Sequence, residues 1–386
     1  TLLSIEPDLY DVTVIGKEHY PNYNRIMLSP VLSGEKIFDE IILHDEQWCR
    51  DRGIHLVMGD AVIAIDRKKQ VVQTASGKTF FYDRLLLATG SNPLILPIQG
   101  IDHPEVMTFR DVSDVMRLRA CAEGSPRVAV IGGGLLGLEA AYGLSRQGAS
   151  VSVIHNMPFL MNRQLDETAG NLLKKELEKR GMAIYTNYLT QEICSDDEGR
   201  ISGLRFKNAE PMDFDAVVLA VGIVPNITLA KQAGLLCDRG ILVNDTLQTF
   251  DPKVYAVGEC VQHRKRLFGL VQPLYQQAFV CATHLAEKGV SRYQYQESAT
   301  SLKVSGVQML SAGEVNPVEP SETIYYIDEK KSIYKKLVIQ NNVIIAVCLL
   351  GDVDDGRWYY ELLEAKTNIQ AIRSSLIFGR AYSVAA

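Results

Sequence analysis

Val128-Ala-Val-Ile-Gly132-Gly-Gly134-Leu-Leu-Gly137-Leu-Glu-Ala-Ala141 decides how this chain folds. The apolar run that opens at Arg127 stops at three glycines and passes into a stretch rich in Leu and Ala. This pattern reads as a buried strand, a tight turn and a helix running from Leu135 to about Gln147. Gly132 permits the turn, Gly134 lets a pyrophosphate approach the backbone, and Gly137 lets the helix pack on the strand. The helix start at Leu135 and Leu136 then offers amide groups and a positive dipole end to phosphates. Glu139 lies just inside the same helix and is taken with the nucleotide-binding set. A glycine-rich turn without a ligand is the alternative, but the strand-before, helix-after context favours a dinucleotide site.

The next strand, Val151–Ile154, should end beside the adenosine ribose, where an acid usually marks NADH. Here it ends in His155-Asn156, without a carboxylate. Two readings stay open: His155 touches the ribose or a 2′-phosphate, with Arg163 nearby in sequence, or it merely ends a strand. NADH and NADPH are both open. Thr168 to Arg180 carries Leu172, Leu173 and Leu177 at helical spacing and stops at Gly181. Short loops joining strand, helix and strand indicate a parallel, doubly wound sheet.

Working outward, Asp11–Ile15, Gly53–Val57, Gln70–Thr74 and Arg84–Gly90 read as strands. Asp11–Ile15 resembles the second strand of another dinucleotide fold, with Glu18 near its ribose position; a solvated turn glutamate is the alternative. The first strand and glycine loop of that fold are absent from the sequence. About 25 residues are expected upstream of Thr1, given the size of a βαβ unit. Ala88-Thr89-Gly90 and Ala220-Val221-Gly222 each close a strand with a glycine under which a cofactor fits; ordinary turns are the alternative. Val254-Tyr-Ala-Val-Gly258-Glu259 places a carboxylate at a strand end, suited to a ribityl hydroxyl or to a structural role. From about Ala299, strands Lys336–Ile339 and Val343–Leu350 precede a helix expected over Trp358–Ala371.

Composition excludes several classes. The 386 residues are 47% hydrophobic and 22% charged, ordinary for a chain of two or three domains. A net charge of −6 disfavours a nucleic-acid surface. No apolar run approaches the ~18–20 residues of a membrane helix. The N-terminus has no signal-peptide pattern, so a cytoplasmic location is the default. The seven cysteines are scattered, with no CxxC pair, which excludes a local dithiol, cluster or zinc signature.

Further motifs carry a resemblance. Asn22-Tyr-Asn-Arg-Ile-Met-Leu-Ser29, His155-Asn-Met-Pro-Phe-Leu-Met-Asn-Arg-Gln-Leu-Asp166 and Gly258-Glu-Cys…Phe268-Gly-Leu-Val-Gln-Pro273…Gln277 are similar to the N-terminal part of the NAD(P)H nitrite reductase large-subunit family. So are Leu302-Lys-Val-Ser-Gly306, Tyr334-Lys-Lys-Leu337 and Leu350-Gly-Asp352. These belong among the pyridine-nucleotide-dependent flavoprotein reductases, of glutathione-reductase-like α/β fold. The resemblance implies an FAD-binding domain over 1–115 and 238–298, an NAD(P)H-binding domain over 116–237, and a small α+β domain over 299–386. It implies that Tyr23, Asn24 and Arg25 lie near the flavin, Glu259 on its ribityl chain, and Pro273 and Gln277 on a helix aimed at the ring.

The expected reaction is hydride transfer from NADH or NADPH to FAD, a positioning task at roughly 3–3.5 Å. Electrons then leave for an iron–sulfur/sirohaem domain or a separate iron–sulfur acceptor. The absence of cysteine from Tyr20 to Ser33 argues against disulfide or peroxide reduction. The alternatives are a stand-alone rubredoxin or ferredoxin reductase and a non-catalytic flavin- or nucleotide-sensing protein. The sequence is compatible with a monomer or a homodimer.

Overall fold

The computed structural model describes residues 1–289, 291–295, 299–304, 306–317 and 320–383. The chain forms two compact units. One comprises Thr1–Leu28, Lys36–Asn92 and Ile223–Gln296; the other comprises Ser29–Glu35, Pro93–Gly222 and Glu297–Ala386.

The second unit contains the fingerprint. Its five strands lie in the order Val106–Thr108, Ala216–Leu219, Arg127–Ile131, Ser150–His155, Ala183–Thr186, all parallel. Val128, Ala129 and Val130 in the central strand are wholly buried, as a parallel strand covered on both faces requires. The fingerprint helix, Leu135–Arg146, buries its small residues Gly137, Ala140, Ala141 and Gly143. Segment 29–35 lies along it: a Cβ on Gly143 would fall 2.5 Å from Leu32 Cγ, and Gln147 Nε2 donates to Leu32 O at 3.0 Å. Helix Glu167–Lys179 turns Leu172, Leu173 and Leu177 inward and is capped by Asp166, whose Oδ1 accepts the Ala169 N–H.

The same unit holds an antiparallel C-terminal sheet in the order Thr300–Val304, Val307–Gly313, Val343–Leu350, Ile333–Gln340, Glu322–Asp328. Its core gathers Leu310, Leu337, Val347, Leu349 and Tyr359. Part of the Leu302–Gly306 motif lies outside the described residues. The terminal helix differs from the expectation over Trp358–Ala371: it spans Gly356–Glu364, and Gln370–Ile372 is a separate 3-10 turn. Lys366 adopts φ 50, Lys366 N–H donates to Leu363 O and Thr367 N–H to Leu362 O. That pair of bonds is a Schellman closure, formed here without the glycine that usually signals it.

The first unit carries two parallel strand pairs, Thr13–Ile15 with His55–Val57 and Leu85–Leu87 with Val254–Ala256. Among the described residues, neither Thr13–Ile15 nor Leu85–Leu87 has a second strand partner. In the other unit, two such parallel pairs flank the central strand Arg127–Ile131. The first unit therefore contains two parallel strand pairs of the kind that flank the central strand in the other unit. A meander of Val62–Asp66, Val71–Thr74 and Thr79–Phe81 and the helix Val271–Leu285 complete it around a core that includes Leu87, Val254, Ala256 and Cys281. Arg67 fastens the meander: its Nε meets Asp251 at 2.7 Å and its Nη1 donates to Ala233 O and Gly234 O.

Candidate functional site

In the nucleotide half, the three fingerprint glycines have three different duties. Gly132 adopts φ 125, and a Cβ there would fall 2.3 Å from Ala220 O, so the turn rests directly on the strand end Ala220–Val221. A Cβ on Gly137 would fall 1.9 Å from Gly132 O. A Cβ on Gly134, the helix N-cap, would meet nothing within 4 Å. Gly134 thus faces open space beside the amides of Leu135, Leu136 and Gly137, which have no acceptor within the helix. This open, amide-lined cradle fits a pyrophosphate.

His155 ends its strand as a buried side chain. Its ring is buried against Gly133, whose N–H donates to Nδ1 at 3.1 Å. Because Nδ1 accepts, the ring proton sits on Nε2. Burial holds the imidazole below its ordinary pKa, against the opposing influence of the Phe159 backbone and Asn162, so the ring is neutral. Nε2 is buried and makes no well-aligned hydrogen bond among the described residues. Gly133 O accepts from Met161 N at 2.9 Å, and Met161 is held at φ 54. The two backbone groups of Gly133 are therefore tied to His155 and to the segment that follows it, and Arg163, two residues beyond Met161, is exposed.

Glu139 is largely buried in the fingerprint helix, with Ser29 Oγ donating to its Oε2 at 2.6 Å. Burial pushes its carboxyl up to about 7, the Ser29 hydroxyl pulling the other way. Gly222, at φ 127, ends the strand-and-turn Ala220-Val221-Gly222, and its carbonyl accepts from Leu94 N.

In the other half, Glu18, Tyr23 and Arg25 come together. Tyr23 Oη donates to Glu18 Oε2 and Arg25 Nη2 to Glu18 Oε1, both at 2.6 Å. Burial raises the Glu18 pKa, but Tyr23, Arg25 and Lys17 outweigh it and leave the carboxyl below its ordinary value. Asn24 caps the turn Arg25–Met27 through its Oδ1. Ala88-Thr89-Gly90 is gripped by Asn226, which sequence reasoning missed: Thr89 Oγ1 donates to Asn226 O at 2.7 Å and Asn226 N to Gly90 O at 2.9 Å. Ser91 was missed too, and its Oγ donates to Glu259 Oε2 at 2.7 Å. Neither carries a local sequence signal.

Gly258, at φ 92, donates its N–H to Oε1 of the fully buried Gln277 at 2.9 Å. The other end of that amide, Nε2, is buried without a hydrogen-bond partner among the described residues. Pro273 occupies the first turn of helix Val271–Leu285, where the missing N–H costs nothing. Gly258, Glu259 and Gln277 form a polar, glycine-lined turn that fits the sugar-alcohol chain of a flavin nucleotide. Cys260 beside them is buried, and burial raises its thiol pKa. Among the described residues no three His, Cys, Asp or Glu side chains converge as a metal site.

A nucleotide cradle in one unit and a flavin-type turn in the other define a nicotinamide-nucleotide-dependent flavoprotein oxidoreductase, with FAD and NAD(P)H as cofactors. The chain belongs to the pyridine nucleotide-disulphide oxidoreductase family, whose model matches residues 5–284. The rubredoxin NAD+ reductase C-terminal domain matches residues 299–367. NAD(P)H nitrite reductase of Bacillus subtilis (strain 168) is 46% identical over 95% of this chain and 46% of its own length. The assimilatory nitrate reductase electron transfer subunit of the same organism is 39% identical over 97% of this chain and 48% of its own. The chain thus spans about half the length of these curated relatives. As a fold, it matches the crystal structure of a ferredoxin reductase from Rhodopseudomonas palustris with TM-score 0.86 at 22% identity, covering 95% of this chain and 91% of that one. No helix among the described residues is long and apolar enough to cross a membrane.

Proposed function

We propose that this chain is the electron-input part of an assimilatory nitrite reductase, taking hydride from NADH or NADPH and passing electrons to an iron–sulfur/sirohaem domain or a separate iron–sulfur protein. The observation that carries this reading is the likeness to NAD(P)H nitrite reductase along 95% of the chain. The cysteine-free stretch Tyr20–Ser33 supports it, because no thiol accompanies the flavin-side loop. FAD, when bound, supplies the change from two-electron to one-electron transfer.

The chain's own residues hold and orient. Gly132, Gly134, Gly137 and the amides of Leu135 and Leu136 bind the nucleotide pyrophosphate. His155 fixes the loop, Arg163 stands beside the adenosine end, and Glu139 with Ala220–Gly222 lines the rest. Glu18, Tyr23, Asn24 and Arg25, with Ala88–Gly90, Gly258, Glu259, Pro273 and Gln277, hold the flavin. Residues 1–115 and 238–298 act as the FAD-binding part, 116–237 as the NAD(P)H-binding part, and 299–386 as a docking domain. The setting is cytoplasmic.

A second reading, a stand-alone rubredoxin or ferredoxin reductase, is favoured by the match of 299–367 to the rubredoxin reductase C-terminal domain. Anaerobic titration of the purified full-length protein with NADH, then NADPH, tests the shared half-reaction. Bleaching of the flavin band at one equivalent is expected, and a protein without a flavin band overturns it. Subsequent reduction of nitrite, rather than of added rubredoxin or ferredoxin alone, separates the two readings.

A further inference from the structure

Strand Val261–His263 leads from the flavin-type turn at Gly258 into a strongly basic hairpin, His263-Arg264-Lys265-Arg266. His263 and Arg266 exchange both backbone hydrogen bonds, at 3.1 and 2.9 Å. Arg264 and Lys265 form the tip, at φ 45 and φ 68. Such two-residue tips favour Asn and Gly, because a Cβ makes the left-handed backbone costly. Here two long cations occupy the tip, and both are exposed. The base is well fastened. His263 is buried, with Nε2 2.8 Å from Asp245 Oδ1, and the Tyr293 ring stands edge-on to it at 5.1 Å. Tyr293 N–H donates to Asp245 O at 2.7 Å, which holds the neighbouring, exposed Arg292 close to the turn. The Arg266 guanidinium lies 4.5 Å over the Tyr295 ring. Carboxylates here are few. Asp245 is taken up by Arg264 Nε and Nη2 at 3.0 and 2.7 Å. Asp238 accepts from the buried Gln262 and has Arg239 as its chain neighbour. Among the described residues, no carboxylate pairs with Lys265, Arg266 or Arg292. These unneutralised cations stand on a chain of net charge −6.

We propose that the turn Arg264–Arg266, with Arg292, docks the acidic face of a separate iron–sulfur protein that takes electrons from the flavin. This rests on the reading of the chain as an electron-input flavoprotein, and it adds a second docking element to residues 299–386. His263 is five residues from Gly258, so the extended chain can place it at most about 18 Å from the flavin-type turn. Two one-electron iron–sulfur centres, visited in turn, together oxidise one hydride-reduced FAD, whose proton goes to solvent. A small cluster of unpaired cations steers an acidic partner that must diffuse in. An acceptor tethered in the same polypeptide meets its donor at high effective concentration and has little use for steering. The overall negative charge disfavours a nucleic acid as the occupant. Left-handed backbone kept at a tip of Arg and Lys is strain of the sort retained where the side chains have work to do.

The test uses the full-length protein and an acidic [2Fe–2S] ferredoxin as the probe. Calorimetry of the two oxidised proteins gives a dissociation constant that needs no turnover. Lys265→Glu combined with Arg266→Glu should weaken binding on the order of tenfold or more at about 0.1 M salt, and the difference should shrink as salt is raised. Lys68→Glu combined with Lys78→Glu makes the same change of net charge on the exposed meander and should leave binding close to the parent's. Lys265→Gly relieves the left-handed backbone, so it should raise the urea midpoint while weakening ferredoxin binding. A merely structural turn would show the first effect without the second. Equal losses in the two double variants overturn the proposal. So does a parent protein whose flavin bleaches with nicotinamide nucleotide but which binds no ferredoxin, or which binds an oligonucleotide instead. A flavin that neither NADH nor NADPH bleaches overturns the electron-input reading itself.

Discussion

Single residues divide into those that shape the protein and those that shape its ligand, and the fingerprint glycines make the distinction measurable. Gly132→Ala drives a Cβ into Ala220 O and forces a side chain onto φ 125. A cost of several kcal/mol is expected, seen as a lower urea midpoint. Gly134→Ala meets open space and an ordinary backbone angle, so its urea midpoint should stay within about 0.5–1 kcal/mol of the parent. Its nucleotide affinity should nevertheless fall, because the methyl occupies the phosphate side. A Gly134→Ala protein that unfolds as readily as Gly132→Ala contradicts the cradle. Glu139 gives a second expectation at this scale. Its folded pKa, about 7, exceeds its ordinary value of 4.5, so the unfolded chain ionises first as pH rises. Its stabilising contribution is complete below about 4.5 and is lost as pH climbs through about 7, a change on the order of 2–3 kcal/mol. Denaturation of the nucleotide-free protein across that range should show the slope, and Glu139→Gln should remove it.

Among the elements, helix Glu167–Lys179 depends on Asp166 for more than its cap. Oδ2 of that residue accepts from Tyr334 Oη at 2.7 Å and from Lys336 Nζ at 2.9 Å. Burial raises the Asp166 pKa, but the Ala169 N–H, Lys336 and Tyr334 outweigh it and leave the carboxyl below its ordinary value. The stability it contributes is therefore present above the ordinary carboxylate range and is lost as pH falls through it. Asp166→Ala uncaps the helix and strands the nearly buried Lys336 ammonium, at an expected cost of about 3–5 kcal/mol. Asp166→Asn keeps the cap and should lose less. Equal losses for the two variants would assign the whole effect to the ion pair. The element scale also shows where sequence reading reached and where it stopped. Val343–Leu350 and the fingerprint strand and helix were legible because burial and turn chemistry are written locally. The stop of helix Gly356–Glu364 was not, since Lys366 rather than a glycine adopts the left-handed conformation.

At the scale of the whole molecule, the doubly wound fold and both glycine-lined turns could be read from short motifs. The side chains that complete them could not. Ser29 and Glu139 are 110 residues apart, while Ser91 and Glu259, like Asp166 and Tyr334, are 168 apart. No local pattern specifies such pairs, because only the folded chain brings them within reach. Arg67 illustrates the same limit: it joins the meander to Asp251 and to the carbonyls of Ala233 and Gly234. Arg67→Ala should lower the urea midpoint of the first unit by about 1–3 kcal/mol, by leaving a half-buried carboxylate unpaired. A change too small to detect would mean that water replaces the guanidinium there.

The chain passes between its two units after Leu28, Glu35, Asn92, Gly222 and Gln296, and this path fixes an order of events during synthesis. The parallel sheet of the nucleotide half needs nothing beyond Leu219 to be complete. Leu85–Leu87 must wait for Val254–Ala256, made long after it, before it gains its partner. On a ribosome the parallel sheet of the second unit can therefore close while Leu85–Leu87 still lacks its partner, an apolar strand open to aggregation. The strand pair Leu85–Leu87 with Val254–Ala256 thus closes after the second unit's parallel sheet, although its first member is made before that sheet.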